Sequence, residues 1–182
     1  YDDRRFGSNT DLTGLIAVQN QVQSRPVSLR YALRYEQTWG GISAHAEHVQ
    51  NMPGGSNNHD NAYFAARSCN PVIQPCATRD WRAFRYALDA SYNFGTWNLT
   101  ARVRGQRSDQ LLIPGEQFGL GGVQSIRGLR DREFAGDTGF TTQLEAIGPP
   151  VLPGVRPVVF VDFGQAWLRN AVLTGTTIYR ES

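Results

Sequence analysis

The sequence predicts an all-β chain, part of an antiparallel transmembrane β-barrel, with about seven or eight strands in its 182 residues. Three observations predict it. Apolar and polar residues alternate over stretches of the length that crosses a membrane as a tilted strand, about nine to eleven residues. Tight glycine turns alternate with long loops, which is how outer-membrane barrels are connected. Aromatic residues also gather at strand ends (Tyr35, Trp39, Trp81, Phe94, Trp97), as an interfacial girdle would require.

The elements follow in order. Leu12–Val22 alternates loosely. Val27–Gln37 is strict, with Val27, Leu29, Tyr31, Leu33 and Tyr35 on one face and Ser28, Arg30, Ala32, Arg34 and Glu36 on the other. After the turn Thr38-Trp39-Gly40-Gly41 comes a looser strand, Ile42–Gln50. A long loop, Asn51–Arg79, contains an ordered segment at Asn61–Arg67. Trp81–Phe94 and Thr96–Arg107 form a hairpin around Gly95, with Arg85, Arg102 and Arg104 on the polar face. A second long loop, Ser108–Asp137, precedes Gly139–Ile147, which puts Thr141, Gln143 and Glu145 on one face. Val155–Leu168 turns Val159, Val161 and Phe163 outward and Phe160, Asp162 and Gly164 inward. A last strand begins near Thr176, and no helical stripe of useful length appears. Strand parity puts both long loops on the extracellular side if the short turns are periplasmic.

Composition agrees. Mean hydropathy is −0.41, which would ordinarily indicate a soluble protein, but alternating lipid-facing and lumen-facing residues average to nothing. No apolar run approaches the roughly 18 residues of a transmembrane helix. A soluble β-sandwich also alternates, but its strands usually run about five or six residues. The net charge of +2 gives no reason to expect nucleic acid. All 18 basic residues are arginine.

Two motifs sharpen the reading. The first lies in Phe118–Leu129, where Gly121-Gly122 precedes Ile126-Arg127-Gly128-Leu129 and Gly136-Asp137-Thr138-Gly139 follows. A glycine-rich loop can cradle phosphate, but no GxGxxG spacing and no strand–loop–helix context is present. The second is Phe160-Val161-Asp162-Phe163-Gly164. Both, in this order and with one strand between them, resemble the Omp85/two-partner-secretion superfamily, which carries a V/I-R-G-aromatic or Leu signature in a long loop and F-x-D-x-G two strands on. The flanks are most similar to the haemolysin secretion/activation transporters.

The resemblance implies a loop folded back into the lumen with Arg127 meeting Asp162 on the inner wall. An arginine fork suits a carboxylate, and Gly164 leaves room for the loop backbone. A barrel of about eight strands is filled by its own side chains, so a loop in the lumen implies a larger barrel, and the family barrel of 16 strands fits. Residues 1–182 are then part of a C-terminal barrel domain, with POTRA domains before Tyr1 and final strands after Ser182. The implied function is export of an unfolded haemolysin- or adhesin-like partner across the bacterial outer membrane, by a monomeric barrel in contact with membrane lipid. The alternatives are an insertase that assembles outer-membrane proteins and a passive porin-like barrel.

Other candidates are weaker. Cys69 and Cys76 share a proposed extracellular loop in an oxidising compartment, so a disulfide is expected over a functional thiol. His45 and His48 point to opposite faces of a strand and make no metal site with His59. No triad or carboxylate pair suggests an enzyme, and no cofactor is expected. The inward arginines, Arg30 and Arg34 among them, read as solvation of a wet wall, or more sharply as contacts to an exported chain.

Overall fold

The computed structural model describes residues 4–6, 22–67, 71–72 and 75–169. The expected strand Leu12–Val22, all but its last residue, and the strand near Thr176 lie outside them, as does Cys69. Two short strands come first, β1 (Arg4–Phe6) and β2 (Val22–Ser24), paired with each other. Then follow β3 (Pro26–Gln37), β4 (Gly40–Asn51), helix α1 (Asp60–Ala66), β5 (Arg82–Phe94) and β6 (Trp97–Arg107). A small hairpin, β7 (Phe118–Leu120) with β8 (Phe134–Gly136), leads into β9 (Thr138–Ile147) and β10 (Val158–Trp167).

The six long strands form one antiparallel sheet in the order β10-β9-β6-β5-β4-β3. Every neighbour in it is also a neighbour along the chain, apart from the loop between β6 and β9, so it is an up-and-down meander. Among the described residues it is open, with β3 and β10 at its edges. Its two faces differ as the alternation requires. Leu29, Tyr31, Leu33, Tyr35, Ile42, Leu88, Tyr92, Leu99, Leu144, Val159, Val161 and Phe163 are exposed on one face. A water-soluble protein rarely leaves so large an apolar surface uncovered, whereas a lipid-facing wall requires it. Across this face Tyr86 pairs with Gly105 and its ring lies over the glycine, filling the place of the missing side chain.

The other face is polar and reads in rows across all six strands. One row is Arg34, Ser43, Asp89, Arg102, Gln143 and Asp162. The next toward the short turns is Glu36, Gly41, Ser91, Thr100, Glu145 and Phe160. The sheet is therefore one wall of a barrel, with this face lining the lumen.

Differences from the sequence reading are local. Strand β10 begins at Val158, not Val155, because Pro157 ends the preceding loop and has no amide hydrogen for the ladder. Val155 instead closes a turn by donating to the Leu152 carbonyl (3.0 Å). The 61–67 segment belongs to helix α1, only seven residues long and hence without a visible stripe; His59 caps it, accepting from the Ala62 amide. Trp81 does not join the girdle. It is fully buried with Val22, Val49, Tyr63, Ala77, Ala83 and Leu111–Ile113, in an apolar cluster where both long loops meet the sheet. Burial there also pushes the Tyr63 phenol upward, while Tyr63 donates to the Gln23 carbonyl at 3.2 Å.

The candidate lumen site and its family

The 108–137 loop is more ordered than a glycine-rich stretch suggests. The β7–β8 hairpin forms its stem, and beyond it the Gly122 amide donates to the Leu129 carbonyl at 3.1 Å and the Ser125 amide to Gly122 at 3.1 Å. Gly121 has φ +111°, and a side chain there would collide with the Arg130 carbonyl. Gly136 and Gly139 lie where a Cβ would meet the Trp167 backbone (2.6 Å) and the Phe118 ring (2.6 Å), so Gly136 lets the stem approach β10 and Gly139 lets Phe118 of the stem lie on β9. Gly122 lies beside Asp131.

The tip reaches the inner wall. The Nε and Nη2 of Arg127 donate to Asp162 at 2.8 and 2.7 Å, a two-pronged grip, and the Arg127 backbone amide adds a third bond at 2.9 Å. Nη1 donates to Glu145 at 2.6 Å. The flat face of the guanidinium lies 3.6 Å from the centroid of the Phe160 ring, a cation–π contact. These bonds hold Arg127 still further above its ordinary pKa, so it remains charged. Asp162 is enclosed, its side chain 4% exposed against 23% for Arg127.

The two motifs thus fit each other residue by residue. Phe160 is a platform, Asp162 takes the fork, and Gly164 provides a slot. What enters that slot is not the loop backbone, as the sequence suggested, but the side chain of Ile126, 3.0 Å from where a Cβ would stand. Gly128 has φ +96° with nothing near its missing side chain, so backbone conformation alone calls for glycine there. Leu129 contributes its carbonyl to the closing bond already described.

Sequence reasoning missed three participants. Glu145 has the right parity on β9, but only the register, which pairs it with Phe160, brings it to Arg127. Asp137, fully buried, accepts from Arg67 (2.8 and 3.2 Å), from the Leu112 amide (2.8 Å) and from the Arg169 amide (2.8 Å). It ties the first long loop, the second and the end of β10 together; its place in Gly-Asp-x-Gly was the only sign of this. Glu116, also buried, receives Arg85 (3.0 Å) and Arg4 (3.3 Å).

The wall arginines have carboxylate partners. Arg30 reaches Glu47 at 3.1 Å and Arg104 reaches Asp89 at 3.4 Å. Arg34 bonds Glu36, and Arg102 lies 3.8 Å from Asp89. Cys76 is disulfide-bonded. His45 lies on the lumen face and His48 on the outward one, while His59 caps α1.

Comparison with known proteins fits this geometry. The model of the haemolysin secretion/activation family ShlB/FhaC/HecB matches residues 15–178. The chain belongs to that family. It is accordingly an outer-membrane β-barrel protein of the two-partner-secretion class from a Gram-negative bacterium. A solved structure, CdiB from Acinetobacter baumannii, is similar at 16% identity with a TM-score of 0.38, over 84% of this chain and 33% of that one. The chain thus spans about a third of the length of that protein. No curated protein matches.

Proposed function

We propose that this chain is part of a barrel domain that exports a partner exoprotein, in unfolded form, across the outer membrane. The observation that carries the reading is the seating of Arg127 on Asp162, Glu145 and Phe160. It positions a long loop inside the barrel, where an exported chain would have to pass. Such a loop needs a wide lumen, which supports a barrel as large as the family's 16 strands, and the same reading puts POTRA domains ahead of it. The barrel acts as a monomer, embedded in lipid through its apolar face.

No covalent chemistry is required. The arginine holds the loop in one place by bonds that are strong when enclosed yet few in number. Export then depends on where the loop sits, not on a catalytic step. The family match favours secretion over insertion of other barrels and over a passive porin.

The test uses the full transporter with its cargo. Arg127→Ala and Asp162→Ala are each expected to leave a heat-modifiable barrel in the membrane while cargo in the medium falls to background. The exchange Arg127→Asp with Asp162→Arg is expected to restore part of the export, as an ion pair would allow. Full secretion by both single variants would refute the proposal.

A further inference from the structure

Arginines on this sheet fall into two groups. Those on the lumen wall have carboxylate partners, as described. Arg82 and Arg107 do not. Alternation turns both to the outward, lipid-facing side, and both are exposed. Neither side chain makes an ion pair or hydrogen bond among the described residues. The nearby carboxylates are engaged elsewhere, Asp80 with Arg79 at 3.5 Å and Asp109 with Arg169 at 3.2 Å.

Their position along the strands is specific. Arg107 pairs with Phe84, which pairs with His48, and Arg82 pairs with Gln50 one row further out. These are the outermost rows at the long-loop end, which the short-turn rule places on the outside of the cell. Phe84 is level with Arg107 and below Arg82, and Tyr86 and Phe140 share the row beneath; Phe84 and Tyr86 lie 6.2 Å apart, and Phe140 and Trp167 5.9 Å apart. The short-turn end of the same face has its own aromatics (Trp39, Tyr92, Phe94, Trp97), but its cation is used internally: Arg156 donates to the Gly148 and Thr96 carbonyls at 2.7 and 3.2 Å. Among the described residues, the outward face thus carries free cations at one rim only.

We propose that Arg82 and Arg107 form a binding site for the phosphate groups of an outer-leaflet glycolipid, with its acyl chains lying on Phe84 and Tyr86. The guanidinium fork matches a phosphate as it does a carboxylate. Depth selects the ligand. Phosphate in a lipid headgroup sits at the height where aromatic belts end and water begins, while the acyl chains lie against the rings below. The inference concerns the outside of the wall and stands whether or not the loop gates export.

The full transporter, purified in detergent, would be incubated with lipid A carrying both its phosphates, with the dephosphorylated form, and with excess inorganic phosphate as competitor, and bound lipid read by native mass spectrometry. The wild type is expected to retain phosphorylated lipid A. Arg82→Gln with Arg107→Gln is expected to weaken retention on the order of 30-fold, the weight of two cations at a charged membrane surface. Arg34→Gln, an inward arginine, is expected to change nothing. Should the double glutamine variant fail to assemble, the double lysine variant keeps the charge and loses the fork, and a smaller loss is expected. Equal retention by wild type and variants, or equal retention of the dephosphorylated lipid, would overturn the proposal. Full displacement by inorganic phosphate would overturn the lipid as ligand, because it would show that the chains contribute nothing.

Discussion

The two ends of the 108–137 loop are held by opposite means. Its root is buried. Leu112 and Ile113 are fully enclosed with Trp81 and Tyr63, and Asp137 beside them is likewise inaccessible. Its tip is held in the lumen by the Arg127 side chain and backbone amide, Ile126 in its slot, and a weak bond from Gln143 to the Val123 carbonyl (3.4 Å). Burial fixes the root because removing those groups from water is the dominant favourable term in folding. The tip has few such contacts, and regions of that kind are the ones that open locally. The lesson is a division of labour: burial fixes the root in the barrel, and a few mostly polar contacts hold the tip, which is the end expected to open first.

The largest expected effect lies at the root. Asp137→Ala leaves Arg67 partly enclosed without its carboxylate and is expected to destabilise the barrel by about 3–5 kcal/mol, measured by urea unfolding in vesicles. At the tip Arg127→Ala removes bonds that water in the lumen can partly replace, so the cost is expected to be about 1–2 kcal/mol, while the proposed function predicts loss of export. Equal destabilisation by these two variants would break the comparison. Tyr63→Phe removes two buried bonds, one donated to the Gln23 carbonyl and one accepted from Asn51 Nδ2 at 3.1 Å, and is expected to cost about 1–2 kcal/mol, with normal export. Smallest of all, Glu145→Gln keeps a hydrogen-bond acceptor for Arg127, and a change below about 1 kcal/mol is expected. Secretion at intermediate levels from that variant would rank Glu145 below Asp162 in holding the tip.

Much of the wall was legible in the sequence because period-2 alternation is a backbone property that leaves a direct trace. It assigned Arg34, Arg102 and Asp162 to one face without any knowledge of neighbours. Register leaves no such trace. Glu145 could be assigned to the lumen face but not to Arg127, since its position relative to Phe160 depends on how β9 slides along β10. Trp81 misled for a related reason. An aromatic at a strand end looks the same whether it meets lipid or a folded loop, and only packing with Leu112 decides. Helix α1 was too short to show a period, and the Arg67–Asp137 link joins loops distant in sequence.

Under the proposed function, seating the Arg127 tip would also set the local charge of the pore. Asp162 and Glu145 lie on adjacent strands, and one guanidinium partly neutralises both. With the loop seated, this part of the wall carries one net negative charge; with it withdrawn, two. Carboxylates lining a pore favour cations. Loop position would therefore be readable as an electrical signal: each withdrawal of the tip should raise conductance and cation preference together in a planar-bilayer recording, and Arg127→Ala should hold the channel permanently in its more cation-selective condition.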